Sequence, residues 1–202
     1  MIIADMHTHS SFSTDSTESM MKMAKAAAEK GLRTICLTEH LDYDYPGGEF
    51  QLDTAEYHDE LMRVKAELSD RVEVLFGVEL GLMDYLASRL NEFAEAWDLD
   101  FIIGSSHLVD GKDPYYPEYF EELGSKNGIL SYFESILANV RAFDNFDVYG
   151  HLDYVVRYSP EKRYEPLDYR EIIDEILKAL VSLGKGIEVN TAGIASRMGC
   201  PH

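Results

Sequence analysis

Cysteine is scarce in this chain. Its 202 residues carry two, Cys36 and Cys200, which excludes a disulfide framework and suits a reducing compartment. Basic residues are scarce too: 18 Lys and Arg stand against 37 Asp and Glu, for a formal net charge of −19. So acidic a chain is unsuited to nucleic acid or an anionic membrane as its main partner. No apolar run approaches the roughly 18 residues that a bilayer-spanning helix needs. The opening Met-Ile-Ile-Ala-Asp reaches an acid at once and lacks the basic start of a signal peptide, so the expected location is the cytoplasm. Repeats, low-complexity tracts and Pro/Ser-rich linkers are missing as well. What is there, 46% hydrophobic and 27% charged residues, is the composition of one globular domain over residues 1–202.

Short apolar runs bounded by Gly and polar residues read as buried strands. They are Ile2-Ile3 leading into Asp5, Arg33 to Thr38, Val72 to Val78, Phe101 to Ser105, Phe146 to Tyr149, and Gly186 to Val189. Helical periodicity fills the intervals. Asp53 and Glu56 form a capping box before Tyr57, Leu61, Val64 and Leu68, which share a face. Ser16 is the expected cap of a helix carrying Met20, Met23, Ala24 and Ala27, stopped at Gly31. Ile172, Ile173, Ile176, Leu177 and Leu180 form another stripe, ended by Gly184, while Asp84 to Ala96 and Ile129 to Ala142 are weaker segments. Such alternation predicts βαβ units and a parallel sheet, six units in all, as an open doubly wound sheet or most of a barrel.

In α/β proteins the strand C-termini build the sites. Here they present Asp5-Met6-His7-Thr8-His9, Thr38-Glu39-His40, Gly77-Val78-Glu79, Ser105-Ser106-His107, Gly150-His151-Leu152-Asp153 and Glu188-Val189-Asn190. Those windows cover roughly 18 of 202 positions, where chance would put about one histidine of the seven, yet five lie there. Imidazole and carboxylate are the ligands of Zn, Fe and Mn. In His7-x-His9 the period of two in an extended segment points both rings to one side, so both can reach one ion. With Glu79, His107 and His151 at neighbouring strand ends, the pattern predicts a metal site.

These motifs, taken in order, resemble those of the polymerase and histidinol phosphatase (PHP) superfamily, from residue 3 to about residue 200. His40-Leu41-Asp42, Gly104 to Leu108, Asp147 to Asp153 and Glu188-Val189-Asn190-Thr191 look most like its histidinol-phosphate phosphatase branch. The resemblance implies a distorted (β/α)7 TIM-like barrel, of which about six βα units are present, and two or three divalent ions (Zn, Fe or Mn). By motif, His7, His9 and Glu79 would bind a first ion. Glu79 would bridge to a second held by His107 and His151, and Asp15 with His40 would hold a third. The family completes its set with an Asp-x-His pair that has no counterpart before Cys200-Pro201-His202. The chain is therefore expected to lack its last βα unit, which leaves Asp15 and His40 alone for the third ion.

The activity implied is hydrolysis of a small phosphate monoester, L-histidinol phosphate, to L-histidinol and phosphate. Two cations sharing Glu79 would lie about 3.5–4 Å apart, with a hydroxide between them positioned for in-line attack. No side-chain nucleophile is required, so the lack of a G-x-S-x-G elbow is no obstacle. Asp153 is the candidate leaving-group acid. Arg157 and Arg197 are phosphate-binding candidates, because a guanidinium matches phosphate in two parallel hydrogen bonds, and a surface ion pair is the competing reading. Asp42, Asp44 and Asp153 could receive the substrate's ammonium and imidazole, and Asn190 could touch substrate or cap a turn. Asp5 and Glu39 are expected to orient imidazoles. Cys36, Trp97 and the cluster Tyr115, Tyr116 and Tyr119 are expected to pack, and His58 to lie at the surface. Two alternatives stay open: a PHP phosphoesterase acting on nucleotides, and an inert metal-binding module. Oligomeric state is open too.

Overall fold

Each short apolar run becomes a strand, and each 3.6-period segment a helix. The computed structural model describes residues 3–161 and 164–189. The strands are β1 (Ala4–Thr8), β2 (Thr34–Leu41), β3 (Glu73–Gly81), β4 (Phe101–Ser105), β5 (Val148–Tyr149) and β6 (Gly186–Ile187). The helices are α1 (Met20–Glu29), α2 (Thr54–Glu67), α3 (Ala87–Ala96), α4 (Pro117–Ala142) and α5 (Arg170–Ser182). Two compact units are formed, Met1–Leu80 with Ala94–Ile103, and Gly81–Phe93 with Gly104–His202.

In the first unit β1, β2 and β3 pair in parallel, in chain order. β2 is buried from Ile35 to Leu41, as a strand covered on both faces must be. Its register places His40 opposite Glu79. In β1 the pairing slips by one residue, Asp5 facing Ile35 while Thr8 faces Leu37. This bulge falls at Met6-His7 and re-aims the strand end that carries the first two histidines. Helices α1 and α2 cover the sheet through Met20, Ala24 and Ala27, and through Tyr57, Leu61 and Val64, which pack with Ile35, Leu37, Val74 and Phe76. Trp97, expected to pack under the long loop after His107, packs against this cluster instead, and Cys36 is fully buried as expected. His58 is only half-exposed, with its ring against Phe76 and Trp97.

Local signals explain the helix ends. Asp53 accepts the Glu56 N–H at 3.0 Å and caps α2 as expected. α1 is capped by Ser19, which accepts from the Lys22 N–H, and not by Ser16. Ser16 instead donates its hydroxyl to the His9 carbonyl at 3.1 Å, a tertiary use that overrides its capping propensity. Gly31 (φ 79°) takes the left-handed position after α1, and the Leu32 N–H returns to Ala27 O at 3.0 Å to close the helix.

β4 is divided between the units at Ile103/Gly104, and in the second unit β5 and β6 pair in parallel. α4 starts well before the expected Ile129, at Pro117, and is interrupted at Gly124 (φ 70°). The glycine break hides the periodicity of the first segment. Tyr119, expected in a loop, is buried on that segment and donates to Gly128 O at 2.6 Å, whereas Tyr115 and Tyr116 are exposed. α5 buries Ile176 and Leu180, as its stripe predicts. The α/β class stands as the sequence predicts, and the described residues hold the six expected strands. Among the described residues no helix is long and apolar enough to cross a membrane.

Candidate metal centre

Three imidazoles of the first unit converge on one carboxylate oxygen. Glu79, on β3, is fully buried. Its Oε2 lies 3.1 Å from His7 Nε2, 3.4 Å from His9 Nε2 and 3.3 Å from His40 Nδ1. His7 and His9 meet edge to face with ring centroids 5.1 Å apart, while His9 and His40 stack in parallel at 4.3 Å. His40 Nε2 faces Asp15 Oδ2 at 3.6 Å. Two ligand groups result, His7–His9–Glu79 and His9–Asp15–His40, each with its donor atoms within 4.8 Å of one another. The structure thus brings His7, His9, Asp15, His40 and Glu79 together in this unit.

The protonation states suit a cation. Burial lowers the His9 pKa to about 4, with His40 and His7 adding to the shift and Glu79 and Asp15 opposing it. His9 is therefore neutral at physiological pH, the state in which an imidazole ligates metal. The hydrogen bond with His40 holds the Asp15 carboxyl below its ordinary range. Imidazole nitrogens around a buried carboxylate oxygen are the donor set of a divalent ion, and the residues fit one.

A second layer holds these side chains. Glu39, fully buried, accepts the Ser10 N–H, the Ser10 hydroxyl at 2.6 Å and the Ser13 hydroxyl at 2.6 Å. Burial raises its pKa, and those bonds to the serines oppose the rise. Glu39, expected to orient an imidazole, reaches His9 through Ser13. Asp5 is exposed, and its Oδ1 receives the His7 backbone N–H at 3.5 Å. Asp42 is buried, with Oδ2 3.5 Å from His40 Nδ1, while Asp44 is exposed. Phe50 packs edge-on against the His40 ring at 4.9 Å and itself holds a left-handed backbone (φ 56°). Neither Ser13 nor Phe50 is singled out by the sequence. Only the capacity of Ser for hydrogen bonding, and the density of glycine around Phe50, hint at either.

In the second unit, His107 and His151 are buried and approach with ring centroids 5.5 Å apart. Tyr154 lies against both, at 5.9 and 5.4 Å, and its hydroxyl donates to Asp113 at 3.1 Å. The His151 N–H donates to Glu188 at 2.9 Å, a link between β6 and the end of β5 that the sequence leaves unread. Asp153 precedes the short helical turn Tyr154–Tyr158. Arg157, on that turn, places its guanidinium 6.0 Å from the Tyr154 ring centroid. Its Nη2 is buried without a hydrogen-bond partner among the described residues. Asn190 and Arg197 lie outside the described residues.

The PHP domain family matches residues 5–192. A histidinol-phosphatase of Lactococcus lactis subsp. lactis is 37% identical over 190 residues, covering 93% of this chain and 71% of that protein. A crystal structure of histidinol phosphate phosphatase from the same subspecies, complexed with zinc, L-histidinol and phosphate, superimposes with a TM-score of 0.88 at 37% identity. That match covers 93% of this chain and 73% of the other. A Listeria monocytogenes structure, 18% identical with a TM-score of 0.82 over 98% of this chain and 86% of its own, shares the fold. With three imidazoles gathered on Glu79 and a family match over nearly its whole length, the chain belongs to the PHP domain family.

Proposed function

We propose that this protein is a metal-dependent phosphomonoesterase that hydrolyses L-histidinol phosphate to L-histidinol and phosphate. The observation that carries the reading is the convergence of His7, His9 and His40 on Glu79, in a chain 37% identical to a histidinol-phosphatase. When bound, divalent ions neutralise phosphoryl charge and acidify water. Zinc is the first candidate, being the metal in the related crystal structure, and iron and manganese suit the same donors. His7, His9 and Glu79 hold one ion. Asp15 and His40 are ligands of a further ion, and His107 and His151 belong to the ligand set as well.

The remaining roles follow from local chemistry. Arg157 has a buried Nη2 directed to no protein acceptor among the described residues, which suits a phosphate oxygen. Asp153, two residues past His151, is assigned the proton for the departing alkoxide. Asp42 is buried against His40, so its carboxylate orients that imidazole more readily than it meets a substrate amine. Asn190 and Arg197 are kept as substrate contacts on motif alone.

The test is phosphate release by the zinc-, iron- or manganese-loaded protein. L-Histidinol phosphate should be turned over with a kcat/KM well above that for an aryl phosphate or a nucleoside monophosphate. Faster nucleotide hydrolysis would shift the assignment to a nucleotide phosphoesterase. A fully metallated protein inert on all of them would make the chain a binding module.

A further inference from the structure

We propose that Ser13 and Glu39 form a relay that fixes the tautomer of His9, so that its Nε2 is offered to metal before any metal arrives. Glu39 accepts four contacts: the Ser10 N–H at 3.0 and 3.1 Å to its two oxygens, the Ser10 hydroxyl on Oε1, and the Ser13 hydroxyl on Oε2, each hydroxyl at 2.6 Å. A hydroxyl has one hydrogen, and Ser13 commits it to the carboxylate, the stronger and nearer acceptor. Ser13 Oγ can then only accept. It takes the His40 backbone N–H at 3.0 Å, and its second lone pair faces His9 Nδ1 at 3.5 Å.

Across this contact His9 Nδ1 is the donor, and the relay holds that tautomer against Glu79 Oε2, which faces Nε2 and favours a hydrogen there. His9 Nε2, the atom 3.4 Å from Glu79, is left with a free lone pair. One serine thus sets the electronic state of one candidate ligand and anchors the backbone of another, His40. Ser13 and Glu39 are positioning residues, since each acts through a histidine.

The tautomer can be read in metal-free protein by long-range proton–nitrogen NMR of labelled histidines at mildly alkaline pH, with His9 assigned through His9→Gln. Wild type should show His9 as the Nδ1–H form. Ser13→Ala removes the acceptor, and His9 should move toward the Nε2–H form. Glu39→Gln should act in the same direction. The two donors of Ser10 hold the amide oxygen at the Oε1 position, so the amide NH2 faces Ser13 and turns the serine hydrogen toward His9. Ser13→Thr keeps the link and should preserve the wild-type tautomer, as should Ser10→Ala. Zinc affinity from chelator competition should fall about 10- to 100-fold for Ser13→Ala and recover with Ser13→Thr.

Wild-type His9 in the Nε2–H form would overturn the relay. So would an unchanged tautomer in Ser13→Ala, or in Glu39→Gln should Ser13→Ala not fold. The affinity change rests on reading His9 as a metal ligand; the tautomer does not, so failure of the proposed activity would leave the NMR result standing.

Discussion

Replacing Glu79 by glutamine keeps the shape of the buried side chain and removes its charge, which separates metal binding from folding. The carboxylate oxygen lies 3.1–3.4 Å from three imidazole nitrogens, so the variant leaves the donor geometry in place. Two unit charges 4 Å apart interact by about 4 kcal/mol at the effective dielectric of a protein site. A carboxylate on a dication should therefore be worth at least about 2.7 kcal/mol, or 100-fold in affinity. At zinc a hundredfold above the wild-type Kd, binding stabilises the fold by about 2.7 kcal/mol, and for the variant by only about 0.4 kcal/mol. In a chain of 202 residues, where 1 kcal/mol moves Tm by about 2–4 °C, a zinc-induced shift of about 5–11 °C should shrink to about 1 °C. The metal-free variant should melt no lower than metal-free wild type, because a buried carboxylate without its cation carries a desolvation cost that the amide escapes. Differential scanning fluorimetry with and without chelator reads both quantities, and elemental analysis reads stoichiometry. An undiminished zinc shift with unchanged stoichiometry would refute the reasoning.

Three further outcomes are expected. In metal-free protein burial lowers the His9 pKa to about 4 from its ordinary 6.5, so between those values the unfolded chain should bind a proton that the native state refuses. Stability should fall as pH drops through that window, by roughly 3 kcal/mol from this group; urea midpoints in chelator should show a shallower slope for His9→Gln, and equal slopes would disprove the assignment. Gly77→Ala should destabilise by about 1–3 kcal/mol or more, because the added Cβ would stand 2.6 Å from Cys36 Sγ and 2.9 Å from the Leu37 carbonyl; a wild-type denaturation midpoint would contradict this. Arg157→Ala should raise KM for L-histidinol phosphate by at least about tenfold in steady-state assays, and an unchanged KM would remove the residue from phosphate binding.

Periodicity and position carried much of this protein. The alternation of apolar runs with helical stripes identifies the six strands among the described residues, most clearly β2 and β3, because strands buried on both faces are continuous apolar runs. The histidines of β1 and β2 and Glu79 of β3 are recognisable from their places at strand ends, since a parallel sheet delivers those ends to one rim. Other features needed the folded chain. Ser16 and Ser19 are equivalent as caps by composition, and only the hydrogen bond from Ser16 to the His9 carbonyl decides between them. The extent of α4 is masked by Gly124, whose left-handed backbone divides the helix. The slip in β1 depends on how the strand pairs, and the count of hydrogens around Ser13 depends on Glu39, 26 residues away, being buried beside it. Residue type and order determine which groups can serve as ligands, whereas tautomer, register and burial are properties of contacts between distant segments and exist only once those segments have packed.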